Sequence, residues 1–163
     1  MKKITSLTLL VFALALVSLM FGAGTPAAQA AAPTPASGSF APLAPPTNVV
    51  VESAGPNLIV TWTSTNVLSG TFSGTLVEEQ RFVVSADGSF TGTEVSTFTG
   101  TVNGVAGTDT SVGVFAGDDT SFHGHFVILS GTGDLANLHG QGTTEGSSAT
   151  GAGTYSGQVL FSP

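Results

Sequence analysis

The sequence predicts an all-β protein built as a small antiparallel barrel. From Thr47 onward the chain is rich in Thr, Val, Ser, Gly and Phe, which favour pleated strands and the turns between them. Turn signals recur at short, even spacing, which indicates antiparallel hairpins because parallel strands need long crossovers. A sandwich is the alternative. A barrel is favoured because closure removes exposed strand edges in a chain with almost no lysine to protect them.

Residues 1–30 have the pattern of a secretory signal peptide. Lys2 and Lys3 precede an apolar run from Ile4 to Phe21, and the small residues of Ala28-Gln29-Ala30 follow. We therefore expect cleavage near Ala30 and a secreted, extracellular protein. The alternative is retention of the apolar run as a membrane anchor, since its length approaches what a bilayer requires.

The segment that follows the leader differs in composition from the rest. Residues 31–46 consist mainly of alanine and proline and show no periodicity, so they are predicted to form a disordered linker. Residues 47–163 are left as a single β-barrel domain.

Charge and cysteine content exclude several classes of function. Beyond the leader, Arg81 is the only Lys or Arg, whereas all ten Asp and Glu remain. We expect no nucleic acid partner and no membrane association after signal cleavage, because neutralising phosphates requires Lys and Arg. The chain has no cysteine, which rules out thiol catalysis, thiolate metal sites and disulfides.

Nine segments are predicted to be strands because β-branched and aromatic residues are frequent in them. They are Asn48–Ser53, Leu58–Thr63, Gly70–Ser73, Thr75–Ser85, Ser89–Thr99, Gly107–Phe115, Ser121–Leu129, Gly140–Glu145 and Thr154–Phe161. Hairpin turns are predicted at Ala86-Asp87-Gly88 and at Asn103-Gly104, because Asp, Asn and Gly tolerate positive φ.

The only helical candidate is one short helical turn near residues 134-138. Asp134 can accept hydrogen bonds from the backbone N–H groups of a first turn. Leu135 and Leu138 are three residues apart and would face the same side. We expect this turn to plug or cross one end of the barrel.

The C-terminal third resembles a known bacterial group. Ser130–Leu135, Leu138–Gly142, Tyr155-Ser156-Gly157 and a strand ending at Phe161 resemble small bacterial proteins of unknown function that carry a GTG-x-L-x-x-L-x-G-x-G element. That group is similar to the allene oxide cyclase barrel superfamily, which includes the plant dirigent proteins. The resemblance covers about residues 69–161 and implies an eight-stranded antiparallel barrel. The plant relatives bind apolar small molecules in the barrel and steer their cyclisation or coupling. No working residue of theirs could be matched to a position here.

His123 and His125 form the sharpest chemical pattern. As residues i and i+2 of a strand they point to one face, and His139 follows after the next turn. Three imidazoles can hold zinc, but the glutamate that usually accompanies such a strand pattern does not follow, so no metal site is predicted. The favoured interpretation places both histidines on the solvent face, with Phe122 and Phe126 packing inward.

Glu79 and Arg81 are a second i, i+2 pair. They could form a buried pair that orients a ligand inside the barrel. The favoured alternative is an exposed ion pair that contributes under about 1 kcal/mol. In either case Glu78 and Gln80 point to the opposite face. Trp62, the single tryptophan, is predicted to lie in the core or at the rim. The candidate ligand-binding residues are therefore Glu79, Arg81, His123, His125 and Trp62.

Three functions stay open at this point. The first is a secreted, non-enzymatic barrel that binds a small apolar ligand, since an eight-stranded barrel can hold one. The second is an enzyme of the cyclase or isomerase kind that holds a reactive lipid or phenolic substrate in one conformation. The third is an extracellular structural or adhesive domain, which a packed lumen and an exposed apolar patch would support. Binding without catalysis is favoured, no cofactor is expected, and an oligomer is compatible with all three.

Overall fold

The computed structural model of the protein describes residues 32–162, which form nine strands. The strands are β1 (Thr34–Pro42), β2 (Thr47–Ala54), β3 (Asn57–Gly70), β4 (Phe72–Val84), β5 (Phe90–Val102), β6 (Val105–Gly117), β7 (Ser121–Gly133), β8 (Leu138–Ser147) and β9 (Gly153–Phe161). Within residues 32–162 there is no helix, and therefore none that could span a membrane. The predicted signal peptide lies outside the described residues.

Eight of these strands close into an antiparallel barrel, which confirms the predicted fold class. Consecutive strands pair from β3 to β9, β9 pairs with β1, and β1 pairs back with β3. The hairpins have the predicted turn chemistry. Asn103 and Gly104 join β5 to β6 with φ of 51° and 83°, and such positive values give the turn a twist that matches the strands.

The strands are staggered around the barrel. A path through directly opposed residues leads from Leu58 on β3 through β4 to β9 and β1, and it returns to β3 at Leu68, 10 residues further along. Such a stagger tilts the strands and is linked to the width of the barrel. As a result, β1 covers only Asn66–Gly70 of β3, and the ninth strand, β2, pairs with the earlier half of β3.

The prediction of a disordered linker at residues 31–46 is wrong, because Thr34–Pro42 is the strand that closes the barrel. Its inward-facing residues include Ala36, which is buried, and Gly38, which lies against the ring of Tyr155. Alanine and glycine produce no apolar alternation, so the composition of this segment concealed a strand. Between Thr34 and Ala54 the only irregular backbone is the link between β1 and β2, residues 43–46.

The predicted break after Thr63 and the separate strand Gly70–Ser73 are also wrong. β3 continues without interruption to Gly70. Its inward-facing residues in that stretch include Ser64 and Asn66. Polar residues in the lumen gave this half of the strand the composition of a loop.

One end of the barrel is closed by the connection between β7 and β8. Leu135 and Leu138 are 0% and 1% exposed and pack in one cluster with Val102 and Val159. The prediction of a helical turn near residues 134-138 is wrong. The connection has only four residues, and its hydrogen bonds span three residues, as from Leu138 N to Leu135 O (2.9 Å). These are successive tight turns, although the segment does plug one end of the barrel as expected.

Candidate ligand-binding lumen

A cavity of about 720 Å³ extends from the closed end of the barrel to the opposite rim. Its volume is within the range of cavities that hold small-molecule ligands. Inward-facing side chains of all eight barrel strands line it, and the link Leu43–Pro46 lies beside it. The lumen is therefore an open space lined by side chains, where a filled core was the alternative.

The two halves of the lumen differ in polarity. Every carboxyl and amide side chain that lines the cavity comes from β3 to β6, which we call the polar wall: Asn66, Glu78, Gln80, Glu94 and Asp109. We call the inward face of β7, β8, β9 and β1 the apolar wall. It contributes Phe122, Phe126, Ile128, Thr144, Tyr155, Phe40 and Pro42 to the cavity. A ligand would thus meet chemically different surfaces on its two sides.

Glu78 and Glu94 are joined by one amide side chain. Oε2 of Glu78 accepts hydrogen bonds from Ser64 Oγ (2.8 Å) and Asn66 Nδ2 (2.8 Å). The Nε2 group of Gln80 donates to Oε2 of Glu78 (3.3 Å) and to Oε2 of Glu94 (3.1 Å). Cross-strand register creates the arrangement, since Ser64 is directly opposite Glu78 and Gln80 is directly opposite Glu94.

The environment of these carboxyl groups favours their neutral forms. Burial, together with the nearby charge of Glu94, raises the pKa of Glu78 to about 7, although the hydrogen bonds from Ser64 and Asn66 act in the opposite direction. Burial also raises the pKa of Glu94, against the hydrogen bond from Gln80. The lumen therefore holds an acidic group that exchanges its proton near neutral pH.

Asp109 is the third carboxyl group of the polar wall and lies deeper. It is only 4% exposed, and burial raises its pKa to about 6. Its Oδ2 atom has no hydrogen-bond partner within the described part of the chain. A buried polar atom without a partner is unusual in folded proteins and calls for an explanation.

Aromatic side chains surround the polar groups toward the rim. Trp62 packs edge-on against Phe82, with ring centroids 4.7 Å apart. Its indole Nε1 donates to Oε1 of Gln80, which fixes the amide between the two glutamates. Phe82, Phe90 and Phe115 form a further cluster with centroids 5.9–6.2 Å apart.

Glycines of β8 make room for two aromatic rings of the apolar wall, those of Phe122 and Phe126 on β7. Phe126 is directly opposite Gly142 and Phe122 is directly opposite Gly146. A Cβ atom at Gly142 would lie 2.7 Å from the Phe126 ring, and one at Gly146 would lie 2.4 Å from the Phe122 ring. Each ring thus occupies the space of a missing side chain, as in the aromatic rescue of strand glycines.

Comparison with known proteins places the chain in a family. The family model described as a protein of unknown function (DUF3224) matches residues 36–156. The chain belongs to this family. The match begins within β1, in agreement with its place in the barrel. No curated protein matches the chain.

A solved DUF3224 structure has the same fold. The crystal structure of a DUF3224 protein of unknown function from Shewanella oneidensis shares 18% sequence identity with this chain and superposes with a TM-score of 0.67. The comparison covers 81% of this chain and 99% of that chain. The predicted resemblance to a bacterial family of unknown function is confirmed, whereas the relation of that family to the allene oxide cyclase superfamily stays a prediction.

Of the five candidate residues, the structure brings only Trp62 into the lumen of this DUF3224 barrel. Glu79 and Arg81 are exposed on the outer face of β4, so the hypothesis of a buried pair inside the barrel is wrong. The reason is strand alternation. Phe82 is buried, and Glu78 and Gln80 share its face and line the cavity.

His123 and His125 are exposed on the outer face of β7. His125 is directly opposite Thr143, four residues along β8 from His139, so the three imidazoles do not converge. Within residues 32–162 no group of three or more His, Asp or Glu is arranged to hold a metal ion. Ligand binding by the histidine pair stays a prediction, and such a site would lie outside the lumen.

Sequence reasoning missed the three carboxyl groups of the lumen. A signal for them exists, because each is separated by an even number of residues from an aromatic residue that lines the cavity on the same strand. Glu78 shares its face with Phe82, Glu94 with Phe98, and Asp109 with Phe115. The inward aromatic residues identify the face to which these acids belong.

Proposed function

We propose that the barrel is a binding protein that holds a small molecule with an apolar body in its lumen. The observation that carries this proposal is the open cavity of about 720 Å³, which is large enough for one ligand and has aromatic side chains on both sides. Covering such surface with a ligand is favourable by about 25 cal/mol per Å² of apolar area removed from water. The resemblance to allene oxide cyclase and dirigent barrels supports the same proposal.

The apolar wall supplies a preformed surface for the ligand body. Phe122 and Phe126 lie over glycines of β8 and line the cavity. The polar wall supplies fixed hydrogen-bonding groups, because Gln80 is tied to Trp62 and to both glutamates. Groups held in place before binding cost less ordering entropy when the ligand arrives.

The test uses 2-naphthylmethanol, a neutral aromatic probe, titrated into the protein by isothermal calorimetry. Trp62 is the only tryptophan, so its indole N–H gives a single, easily assigned NMR resonance. We expect saturable binding of one molecule together with a shift of that resonance, because Trp62 lines the cavity. Absence of both the heat and the shift would overturn the proposal.

Two neighbouring threonines provide a matched pair of variants. Thr144 lines the cavity, whereas Thr143 lies on the outer face, where its hydroxyl contacts Ser156. Thr144→Phe should occupy part of the lumen and weaken binding by at least about tenfold, a change of about 1.4 kcal/mol. Thr143→Phe adds the same ring outside the barrel and should leave the affinity unchanged. Equal affinities for the two variants would place the binding site elsewhere.

A second candidate function is proton-transfer catalysis of the cyclase or isomerase kind. The observation in its favour is Glu78, whose pKa is raised to about 7 mainly by burial and which lines an open cavity. A general acid or base works best when its pKa is near the working pH. If ligand extracted from the host is converted to an isomer by the protein, Glu78→Gln should bind the ligand but lose the conversion. Retained conversion in that variant would exclude Glu78 as the acid or base.

The proposed setting is extracellular, and the signal-peptide pattern of residues 1–30 supports it. Expression in the native host should yield a protein that begins near Ala31, which N-terminal sequencing would detect. A packed lumen would have supported the alternative of a structural or adhesive domain. The lumen is open, so this alternative lacks that support.

A further inference from the structure

The lumen contains three carboxyl groups and no basic side chain. Glu78, Glu94 and Asp109 line the cavity, and none of its lining residues between 32 and 162 is Lys, Arg or His. Arg81 lies on the outer face of β4. Any positive charge that compensates these acids inside the cavity must therefore come from a bound ligand or ion.

The donors that the protein does supply leave most of this charge uncompensated. The three donors to Glu78 all bind the same oxygen, Oε2, and all three are neutral hydroxyl or amide groups. Glu94 receives one hydrogen bond, from Gln80. Buried carboxylates are normally paired with a cation or held by several donors, because burial of an isolated charge is costly.

Asp109 lacks even such donors. It is 4% exposed, it borders the cavity, and its Oδ2 atom has no partner within residues 32–162. Its directly opposed neighbours are Phe98 on β5 and Gly131 on β7, and neither side chain can donate a hydrogen bond. Because Asp109 lines the cavity, a cation bound there would compensate the charge of this carboxyl group, which no donor of the described chain does.

We propose that the natural ligand is an organic cation, in which a protonated amine binds Asp109 and an apolar body lies against the apolar wall. This inference rests on the proposed function of the lumen as a ligand site. The inference names the chemical class of ligand that the carboxyl groups of the polar wall would favour. Phe98 borders the cavity next to Asp109, so an aromatic ring is available to the same ammonium group.

The ionisation of the lumen is consistent with this assignment. Burial raises the pKa of Asp109 to about 6, so this carboxyl group is largely ionised at neutral pH and largely neutral in mild acid. The other titratable groups that line the cavity are Glu78, Glu94 and Tyr155. None of them carries positive charge, so protonated amines should bind less well as the pH falls below the pKa of Asp109.

The test compares three probes that share one apolar body and differ in charge. These are 2-naphthylmethylamine, which is protonated at neutral pH, neutral 2-naphthylmethanol and anionic 2-naphthoate. Calorimetry should give an affinity for the amine at least about tenfold above that for the alcohol, and the carboxylate should bind most weakly. Equal binding of amine and alcohol would overturn the cation proposal while leaving the lumen established as a ligand site. Failure of all three probes would overturn both proposals.

Charge-matched variants locate the effect. Asp109→Asn should reduce the preference for the amine to within about threefold while affinity for the alcohol stays the same. Glu79→Gln removes the same charge from the outer face and should retain the full preference. A preference that survives in Asp109→Asn, or that is lost in Glu79→Gln, would contradict binding at Asp109.

Inorganic cations need a separate experiment, since a metal ion could also compensate the negative charge of Asp109. Titration with calcium chloride and with potassium chloride should produce no heat that depends on Asp109 and no shift of the Trp62 resonance. Binding of either metal in competition with the amine would replace the organic cation by a metal ion as the natural occupant.

Discussion

The polar wall and the apolar wall line the same lumen but are built differently. In the polar wall, inward side chains of adjacent strands bind one another, as Ser64 and Asn66 bind Glu78. The apolar wall relies instead on aromatic rings that lie over glycines in direct register, as Phe126 lies over Gly142. The polar wall uses this second device as well, since Phe115 lies over Gly92. Both devices hold side chains against the strands, and the comparison shows two routes by which an eight-stranded barrel keeps its interior open.

The two walls also differ in what they do for stability. The apolar wall continues into the closed end, where Ile128, Tyr155 and Val159 are buried in the hydrophobic core. The polar wall contains the acids whose charges are poorly compensated. Phe72 and Phe98, on strands of the polar wall, belong to the same core. We infer that both walls stabilise the fold and that the acids of the polar wall add a cost that a ligand can offset, as is common at functional sites.

The largest expected effect is a fall in stability of the ligand-free protein as the pH rises. The pKa of Asp109 is raised by burial from 3.8 to about 6, and that of Glu78 is raised, mainly by burial, from 4.5 to about 7. The folded protein keeps these protons where the unfolded chain has lost them. The free energy of unfolding should therefore decrease between about pH 4 and about pH 7, by about 3 kcal/mol for Asp109 alone. Urea unfolding across this range measures the decrease.

Asp109→Asn tests the origin of this pH dependence. The variant should be more stable than the native sequence at neutral pH and should show a shallower decrease. Two exposed turn carboxylates act in the opposite direction, since side-chain hydrogen bonding by Ser89 lowers the pKa of Asp87 and a backbone hydrogen bond from Ser121 lowers that of Asp118. Their effect lies below pH 3.8, outside the window of the lumen acids. An unchanged slope in Asp109→Asn would contradict the assignment.

A pair of glycine variants compares the walls directly. In the apolar wall, a Cβ at Gly142 would lie 2.4 Å from the carbonyl oxygen of Ser156 and 2.7 Å from the Phe126 ring. Gly142→Ala should therefore destabilise the protein by about 1–3 kcal/mol, as overpacking does. Thermal and urea unfolding measure this loss.

The corresponding polar-wall glycine is Gly113, directly opposite Glu94. The three atoms nearest to a Cβ there all belong to the Glu94 side chain, with Oε1 at 2.6 Å. Gly113→Ala should move this flexible carboxylate away from Gln80 and cost less than about 1 kcal/mol. If Gly113→Ala were as damaging as Gly142→Ala, the proposed difference between the walls would not hold.

Tyr155 connects the apolar wall to the turn between β3 and β4. Its hydroxyl accepts a hydrogen bond from Phe72 N (2.9 Å) and donates to Ser69 O (3.1 Å). Tyr155→Phe keeps the ring but removes the partner of the Phe72 amide, which should cost about 1–2 kcal/mol in unfolding free energy. Thr154→Ala, on the exposed face of the same strand, is the control and should stay within about 0.5 kcal/mol. A negligible effect of Tyr155→Phe would show that this link does not stabilise the closed end.

The barrel could be predicted from the sequence because its turns and its strand alternation depend on residues that are close together in the chain. The Asn103-Gly104 turn depends on two adjacent residues, and the alternation around Phe82 and Phe126 is visible along one strand. β1 was missed because two of its inward residues, Ala36 and Gly38, are small and leave Phe40 as the single large apolar residue of that face. They fit only because Tyr155 covers Gly38 from another strand, and one strand's sequence does not contain that information.

The candidate site was harder to predict for a related physical reason. Glu78 and Glu79 are adjacent, and strand alternation alone does not say which of them faces the lumen. Charged residues usually lie on the outside, and this rule does not distinguish Glu78 from Glu79. The apolar neighbours do not decide either, because Val77 shares the face of Glu79 and Phe82 shares the face of Glu78. The structure resolves this because Phe82 is buried and Val77 is 40% exposed. Because the outer surface of the barrel also carries valines, its residue pattern in the sequence resembles that of a face that packs in the core.

The smallest expected effect concerns the outer histidines and sharpens the contrast between lumen and surface. His123 and His125 are exposed, and the residue between them, Gly124, faces inward against Thr144. Replacing both histidines by alanine should change the free energy of unfolding by less than about 0.5 kcal/mol, as is usual for surface substitutions. Binding of 2-naphthylmethanol should also be unchanged, because the ring atoms that border the cavity belong to Phe122 and Phe126. A loss of affinity in the double variant, with the Trp62 resonance still shifting, would mean that the outer face of β7 influences the lumen and would restore the histidine pair as part of the site.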